Sequence, residues 1–443
     1  MNLQRCEYPA LGETVYAATT GDGLRVYVMP KPGYHKKYAT YATHYGSVDS
    51  HFRASGAAEA TRVPDGIAHF LEHKLFEKPE GNVFDRFAEL GAMTNAFTTY
   101  TSTSYLCSTT EKFPECLDLL VNFVRRPYFT DESVAKEKGI IGQEIRMYED
   151  SPQWRVRDNL LTALYQRHPV RINIAGTVES IEGITKDLLY QCYGTFYRPD
   201  NMILFITGDV DPAWAIDHVV GRATVDRPAG PGGSAPEGGI ERLFPDEPPS
   251  VNQHLIEEGM AVAVPLILVG FKDRDIGYDG PRLLEKTVYL ETVLDGLLGR
   301  SSAIYESLYQ DGLIDERFSF GYEGERDYGY VVVGGESPDP DRLRDRLAEA
   351  LGRARTDGID PATFERTRRK LSGGFIAGFN SPEFAAHNFT LFRFKDVDIF
   401  DYLTALERVD LDGANRRLRE VLDPSAFAVS IIRPKDSPPG RRR

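Results

Sequence analysis

A chain of 443 residues exceeds one ordinary hydrophobic core, and 41% apolar against 27% charged residues is a globular composition, not a disordered one. The net charge of −14 argues against nucleic acid or an anionic membrane surface as the main partner, and no apolar run reaches the roughly 18–20 residues that span a bilayer. The opening residues lack the apolar stretch of a secretory signal, and the four cysteines (Cys6, Cys107, Cys116, Cys192) have no close pairing, so the expected setting is the reducing cytoplasm.

Along the chain, "GLRVYVMPK" (23–31) and "YATYATHYGSV" (38–48) alternate in the manner of strands. Next comes "GIAHFLEHKLFEK" (66–78), expected as a helix capped by Asp65, packed through Ile67, Phe70, Leu71 and Leu75, and ended by "KPEG". After Gly91, "AMTNAFTTY" (92–100) is rich in Thr and aromatic residues and reads as a strand. "TDESVAKEKGIIGQEIRMYED" (130–150) is a helix with Thr130, Asp131 and Glu132 at its start. "NMILFITGDV" (201–210) is a strand, and "RPAGPGGSAPEGGIERLFPDEPPS" (227–250) is a Gly/Pro-rich linker.

The second half repeats this order: strand 261–271, a helix over 284–298, strand 328–337 and a closing strand 426–434. The expected organisation is therefore a duplicated α+β unit, residues 1–226 and 251–443, joined by the linker. The second-half helix has no histidine, so metal chemistry belongs to the first half.

On the 66–78 helix, about 100° per residue puts His69 and His73 only about 40° apart, and Glu72 lies beside the pair. Two imidazoles and a carboxylate in H-x-x-E-H order are the inverzincin signature. A catalytic zinc needs a third ligand and an open position. Glu137 and Glu144, two turns apart on a helix whose Val134, Ile141, Ile145 and Tyr148 turn inward, share a face that wants a cation. Glu144 is the expected third ligand, and Glu137 the acceptor for the spare N–H of a ligating histidine. Gly139 and Gly142 would let the two helices approach closely. A surface helix with solvated His and Glu side chains is the competing reading. The remaining histidines (His35, His44, His51, His168, His218, His254, His387) read as surface or structural residues.

Together with "HFLEH" and "KEKGIIGQEI", the segments "GAMTNAFTTYTSTSY", "HPVRINIAGTVESI", "FYRPDNMILFITGDV" and "SSAIYESLYQDGLI" make the chain resemble the pitrilysin/insulinase family of zinc peptidases over nearly its whole length. The resemblance is strongest to the bacterial two-domain branch related to mitochondrial processing peptidase. It implies two homologous α/β-roll domains, each an antiparallel-rich sheet packed with helices, facing each other around a chamber. It implies that His69, His73 and Glu144 bind Zn2+, that Glu72 is the general base and that Glu137 supports the site. The edge strand would accept a substrate peptide by β-augmentation, with Asn95, Ala96 and Phe97 beside it.

One departure is visible. Active members carry an arginine and, seven residues later, a tyrosine in the second half; here Tyr309 stands at the arginine position and Asp315 or Glu316 near the tyrosine position, with Arg317 and Tyr322 out of register. The resemblance then implies a homologous partner without the zinc motif that supplies the pair, as a heterodimer, or else a homodimer. The expected function is a zinc-dependent endopeptidase acting on extended or unfolded peptides. The alternatives are a non-catalytic structural or assembly subunit of the same superfamily and a zinc hydrolase of non-peptide bonds.

Overall fold

The computed structural model describes residues 3–223 and 239–435. Two compact units emerge. The first comprises Met1–Ile145, Asn173–Leu243 and Ile376–Phe394; the second comprises Arg146–Ile172, Phe244–Phe375 and Lys395–Arg443.

The first unit is built on a seven-stranded sheet: β1 (Gln4–Tyr8), β2 (Glu13–Thr19), β3 (Arg25–Pro30), β4 (Lys37–Thr43), β5 (Met93–Thr98), β6 (Thr103–Thr109) and β7 (Met202–Gly208), in spatial order β1-β2-β3-β7-β4-β6-β5. Every residue of β7 is buried, in keeping with its five successive apolar residues Met202 to Ile206. Helix α1 (Ile67–Leu75) and α2 (Val83–Glu89) lie between β4 and β5 in the chain. After β6 follow α3 (Phe113–Arg125), α4 (Asp131–Glu149), α5 (Pro152–Leu164), α6 (Val178–Glu182) and α7 (Lys186–Phe196); α8 (Pro212–Ala223) follows β7.

The second unit has a five-stranded sheet: β8 (Leu255–Met260), β9 (Leu266–Lys272), β10 (Ser319–Gly324), β11 (Gly329–Glu336) and β12 (Phe427–Pro434), in order β8-β12-β9-β11-β10. In the chain, α9 (Gly280–Leu298) and α10 (Ala303–Gln310) lie between β9 and β10, and α11 (Pro340–Asp357), α12 (Pro361–Gly378), α13 (Pro382–Phe394), α14 (Asp401–Arg408) and α15 (Leu411–Val421) lie between β11 and β12.

The repeat expected from sequence is present in five core strands of each unit and in the helices between them. In the first unit β3 runs parallel to β7, and β7, β4, β6 and β5 are successively antiparallel. In the second, β8 runs parallel to β12, and β12, β9, β11 and β10 are successively antiparallel. Two helices separate the second and third core strands in each, and five separate the fourth and fifth. By this correspondence α1 matches α9, and α9 carries no histidine.

The units differ from the contiguous halves 1–226 and 251–443. Helix α5, from the first half, packs on β12 and β9, whereas α13, from the second half, packs on β4 and β7. These two helices are counterparts, as are the strands that they cover, so each sheet is covered by the other repeat's helix. The first 12 residues of the expected linker, 227–238, lie outside the described residues. Of the remainder, Glu241–Arg242 adds a strand to His51–Arg53, with Arg242 Nε donating to Asp49 Oδ1 at 2.9 Å. The Glu247 carboxylate accepts the main-chain N–H groups of Gln166, Arg167 and His168. That stretch is structured and belongs to the units. Among the described residues no helix is long and apolar enough to cross a membrane.

A buried ion pair fixes the second unit at the position matching α1. Lys286 on α9 donates to Asp273 Oδ2 at 2.7 Å, and the Tyr322 hydroxyl donates to the same oxygen at 2.7 Å. Lys286 is 2% exposed and Asp273 6%. Removing one partner of such a pair strands the other charge, whereas replacing both by apolar groups does not. Asp273→Ala is therefore expected to lower stability by about 3–5 kcal/mol in urea unfolding, and the double variant Asp273→Leu/Lys286→Met to recover most of that loss.

Candidate metal centre

The centre is assembled from α1, α4 and β5, all within the first unit. Helix α1 is buried almost all round: Ile67, Ala68, His69, Phe70, Leu71, Glu72, Lys74 and Leu75 are buried. This removes the surface-helix reading. Its start departs from the expectation that Asp65 caps it. The N-cap is Gly66, at φ 90°, with no side-chain cap. A Cβ at Gly66 would lie 2.3 Å from the Ala175 carbonyl oxygen, so only glycine fits this entry. The main-chain oxygen of Asp65 instead accepts from Ser180 Oγ at 2.8 Å. This pairing accounts for "INIAGTVES" as the loop against which the helix begins. The helix ends at Leu75, earlier than "KPEG", whose residues shape the tight Glu77–Lys78/Gly81–Asn82 hairpin.

Helix α4 starts as expected. Thr130 Oγ1 accepts from the Ser133 N–H at 3.1 Å, and Ser133 Oγ accepts from the Thr130 N–H at 3.1 Å, a reciprocal cap. Glu137 is buried, and Val134, Ile141 and Ile145 pack beside it. Gly139 and Gly142 do not mark a close helix–helix approach, because a Cβ at either would meet nothing within 4 Å. Long carboxylate side chains, not glycine contact, close the gap between the helices.

His69 Nε2 lies 3.6 Å from Glu144 Oε1, and His73 Nε2 lies 3.5 Å from Glu144 Oε2. Both separations are long for a hydrogen bond. They suit two ligands of one tetrahedral ion, since bonds of about 2.0–2.1 Å at the tetrahedral angle put donor atoms about 3.3 Å apart. Ligand atoms of His69, His73 and Glu144 all fall within 4.8 Å of one another, and among the described residues this is the one such His/Cys/Asp/Glu group. His73 Nδ1 is 3.0 Å from Glu137 Oε1, so Glu137 takes the spare N–H and leaves Nε2 free to ligate.

The electrostatics agree with a cation site. Burial, helped by neighbouring His73, holds the His69 imidazole down at about 4, so it is neutral at pH 7 and offers a lone pair. Burial also works to lower the His73 pKa, but the bond to Glu137 and the Glu72 and Glu144 charges outweigh it and raise the net value. Glu72 is pushed up to about 7 by burial, against the opposing pull of the Thr98 hydroxyl. A buried site holding Glu72, Glu137 and Glu144 must take up positive charge, as protons or as a metal ion. Imidazole nitrogens and a carboxylate oxygen are a zinc donor set, and three protein ligands leave a position open. His69, His73 and Glu144 thus fit zinc.

β5 is an edge strand, paired on one side only, with β6. Strand alternation puts Thr94, Ala96 and Thr98 on the face towards α1, and Thr98 Oγ1 donates to Glu72 Oε2 at 2.6 Å. Asn95 and Phe97 point to the opposite face, where the Phe97 ring lies 5.3 Å from His387 of α13. Thr98 is the site residue that sequence reasoning missed; alternation from Ala96 places it on a face, but nothing in the chain links residue 98 to residue 72. The other histidines that bond have structural partners: His218 Nε2 meets Asp118 at 2.8 Å, His254 Nδ1 meets the Phe427 carbonyl at 2.8 Å, and His168 Nδ1 accepts from the Val170 N–H.

The position in α9 that matches Glu72 is informative. Gly280 also has positive φ, and Lys286 follows it at the same spacing by which Glu72 follows Gly66. An ammonium locked to Asp273 replaces the carboxylate.

Residues 54–178 match the sequence family described as Insulinase (Peptidase family M16), and residues 183–371 match the Peptidase M16 inactive domain. The uncharacterized zinc protease YmfH of Bacillus subtilis (strain 168) is 44% identical over 433 residues, covering 98% of this chain and 100% of that protein. The solved structure of an M16-like peptidase from Alicyclobacillus acidocaldarius superposes with a TM-score of 0.89 at 39% identity, covering 98% of this chain and 99% of that one. A Helicobacter pylori protease shares the fold, with a TM-score of 0.79 at 17% identity over 94% of this chain and 99% of that one.

Metal analysis separates the roles. His69→Ala and Glu144→Ala are expected to lose stoichiometric zinc, while Glu72→Gln keeps it. Glu137→Gln should weaken zinc affinity by about 10- to 100-fold, read by competition with a chelator.

Proposed function

The chain belongs to Peptidase family M16, and on that premise we propose that it is a zinc-dependent endopeptidase that cleaves extended or unfolded peptides. The observation that carries the reading is the convergence of the two Nε2 atoms and the Glu144 carboxylate beside a buried, separately held Glu72. Zinc bound by His69, His73 and Glu144 would lower the pKa of its water towards 7 and polarise the scissile carbonyl. Glu72 accepts a proton from the attacking water and returns it to the leaving nitrogen. Glu137 holds the His73 ring through Nδ1, so the imidazole keeps one orientation throughout.

The open edge of β5 receives the peptide by main-chain hydrogen bonds, the Ala96 backbone among them. Asn95 and Phe97 side chains meet the substrate's other face. Selection then rests on an extended backbone first and on side chains second. A folded protein cannot present such a strand without unfolding locally.

Charge stabilisation at the reacting carbonyl needs further donors. Tyr309 is 50% exposed at the position where arginine is expected. Arg317 is engaged by Asp315 and Glu336, and the Tyr322 hydroxyl is spent on Asp273. A second copy would bring the same residues, so the reading includes a homologous partner of different sequence that supplies the Arg/Tyr pair. A missing donor of this kind is worth about 3–4 kcal/mol in the transition state. The cytoplasmic setting is part of the same proposal and is supported by four unpaired cysteines.

The test is digestion of an unstructured peptide library by the zinc-loaded chain, alone and with proteins that co-purify from the source cell. Glu72→Gln is expected to retain zinc and lose cleavage by at least about a thousandfold, consistent with loss of a general base beside other intact groups. Unchanged cleavage by Glu72→Gln would remove the general-base assignment. Full turnover by the isolated monomer would remove the partner.

A further inference from the structure

Glu72 is a base on a helix, yet the group that holds it stands on the strand that receives the substrate. Thr98 Oγ1 donates to Glu72 Oε2 at 2.6 Å, within the short range of a charge-assisted O–H···O bond. A threonine hydroxyl has one proton to give. Its other neighbour, Thr103 Oγ1, is 3.4 Å away, and Thr103 spends its own proton on the Tyr45 carbonyl at 2.9 Å. The carboxylate is both the nearer and the charged acceptor, so the Thr98 proton goes to Glu72 Oε2 and Oε1 takes no part in this bond. Thr98 is β-branched and sits in a strand, so few side-chain rotamers are open to it and the hydroxyl follows the backbone closely.

That backbone is the last residue of β5, hydrogen-bonded to β6 on one side and open on the other. A peptide added to the open side would restrain both flanks of the strand. The hydroxyl, and with it the carboxylate, would then be fixed when substrate is present. We propose that Thr98 is a positioning residue that couples peptide occupancy of the β5 edge to the orientation of Glu72. The inference rests on the endopeptidase reading for its catalytic consequence, but the bond can be read without turnover.

Thr98→Val keeps the shape and removes the donor; Thr98→Ser keeps the donor. With a quenched-fluorescence peptide, Thr98→Val is expected to lower kcat by about 10- to 100-fold, the range spanned by one hydrogen bond to a charged group. KM should stay within about twofold, zinc stoichiometry and Tm should be unchanged, and Thr98→Ser should recover most of kcat. In protein carrying 13C at its glutamate carboxyls, the resonance that Glu72→Gln abolishes should shift in Thr98→Val and hold in Thr98→Ser. Wild-type kcat in Thr98→Val, a parallel fall in zinc content, or failure of Thr98→Ser to rescue overturns the inference. So does an unmoved Glu72 resonance, whether or not peptides are cut. A wild-type chain that cuts no peptide while the resonance shifts overturns the endopeptidase reading and leaves the Thr98 bond standing.

Discussion

The centre depends on one constraint: three carboxylates and two imidazoles share a small volume from which water is largely removed. Glu72, Glu137 and His69 are each less than 9% exposed, and Glu144 reaches both imidazoles. Without a cation the group must hold protons to offset the carboxylates, and the upward shifts of Glu72 and His73 express that demand. A divalent ion meets the same demand without protons. In the proposed mechanism this frees Glu72 to act as a base, because the positive charge that it needs nearby no longer has to come from its own proton. The arrangement of α1, α4 and β5 answers this electrostatic problem as much as it answers packing.

The frame that holds these elements occurs twice, with one parallel and three antiparallel strand pairings in the same order. Helices α5 and α13 are exchanged between the two halves of the chain. Each sheet buries an apolar face under a helix encoded in the other half, so neither half of the sequence contains a complete core. Truncating the chain at the Gly/Pro-rich stretch would leave the β4/β7 face without α13. Cooperativity between the repeats is thereby built into the hydrophobic cores.

Much of this was legible because it follows local periodicity. The strands over 23–31, 38–48 and 201–210, the two site helices and the inward face bearing Glu137 and Glu144 all have clear local patterns, and His69, Glu72 and His73 are related by helix geometry alone. What was not legible depends on tertiary approach. Gly66 looks like an ordinary residue after a capping Asp65 until Ala175 is seen against it. Gly139 and Gly142 suggested tight helix contact, but the side chains of Glu137 and Glu144 bridge the distance. Helix exchange could not be read because α5 and α13 have ordinary amphipathic patterns that do not say which sheet they cover. Thr98 was hidden for the same reason: its partner is 26 positions away, on another element.

Duplication also explains why only one unit holds the metal chemistry. After a positive-φ glycine, the same helical step delivers Glu72 in one unit and Lys286 in the other. The two side chains meet opposite environments. Glu72 lies beside the His73 imidazole and accepts the Thr98 hydroxyl, with no cationic side chain locked to it by a hydrogen bond. Lys286 faces Asp273, which neutralises it, Tyr322 donates to the same oxygen, and the Asp275 N–H donates to the other. A dication beside a fixed ammonium would be repelled in a region of low dielectric, and α9 offers no imidazole to offset that repulsion. Reversing one buried charge and withholding two histidines therefore turns the same framework from a candidate metal centre into a closed structural one.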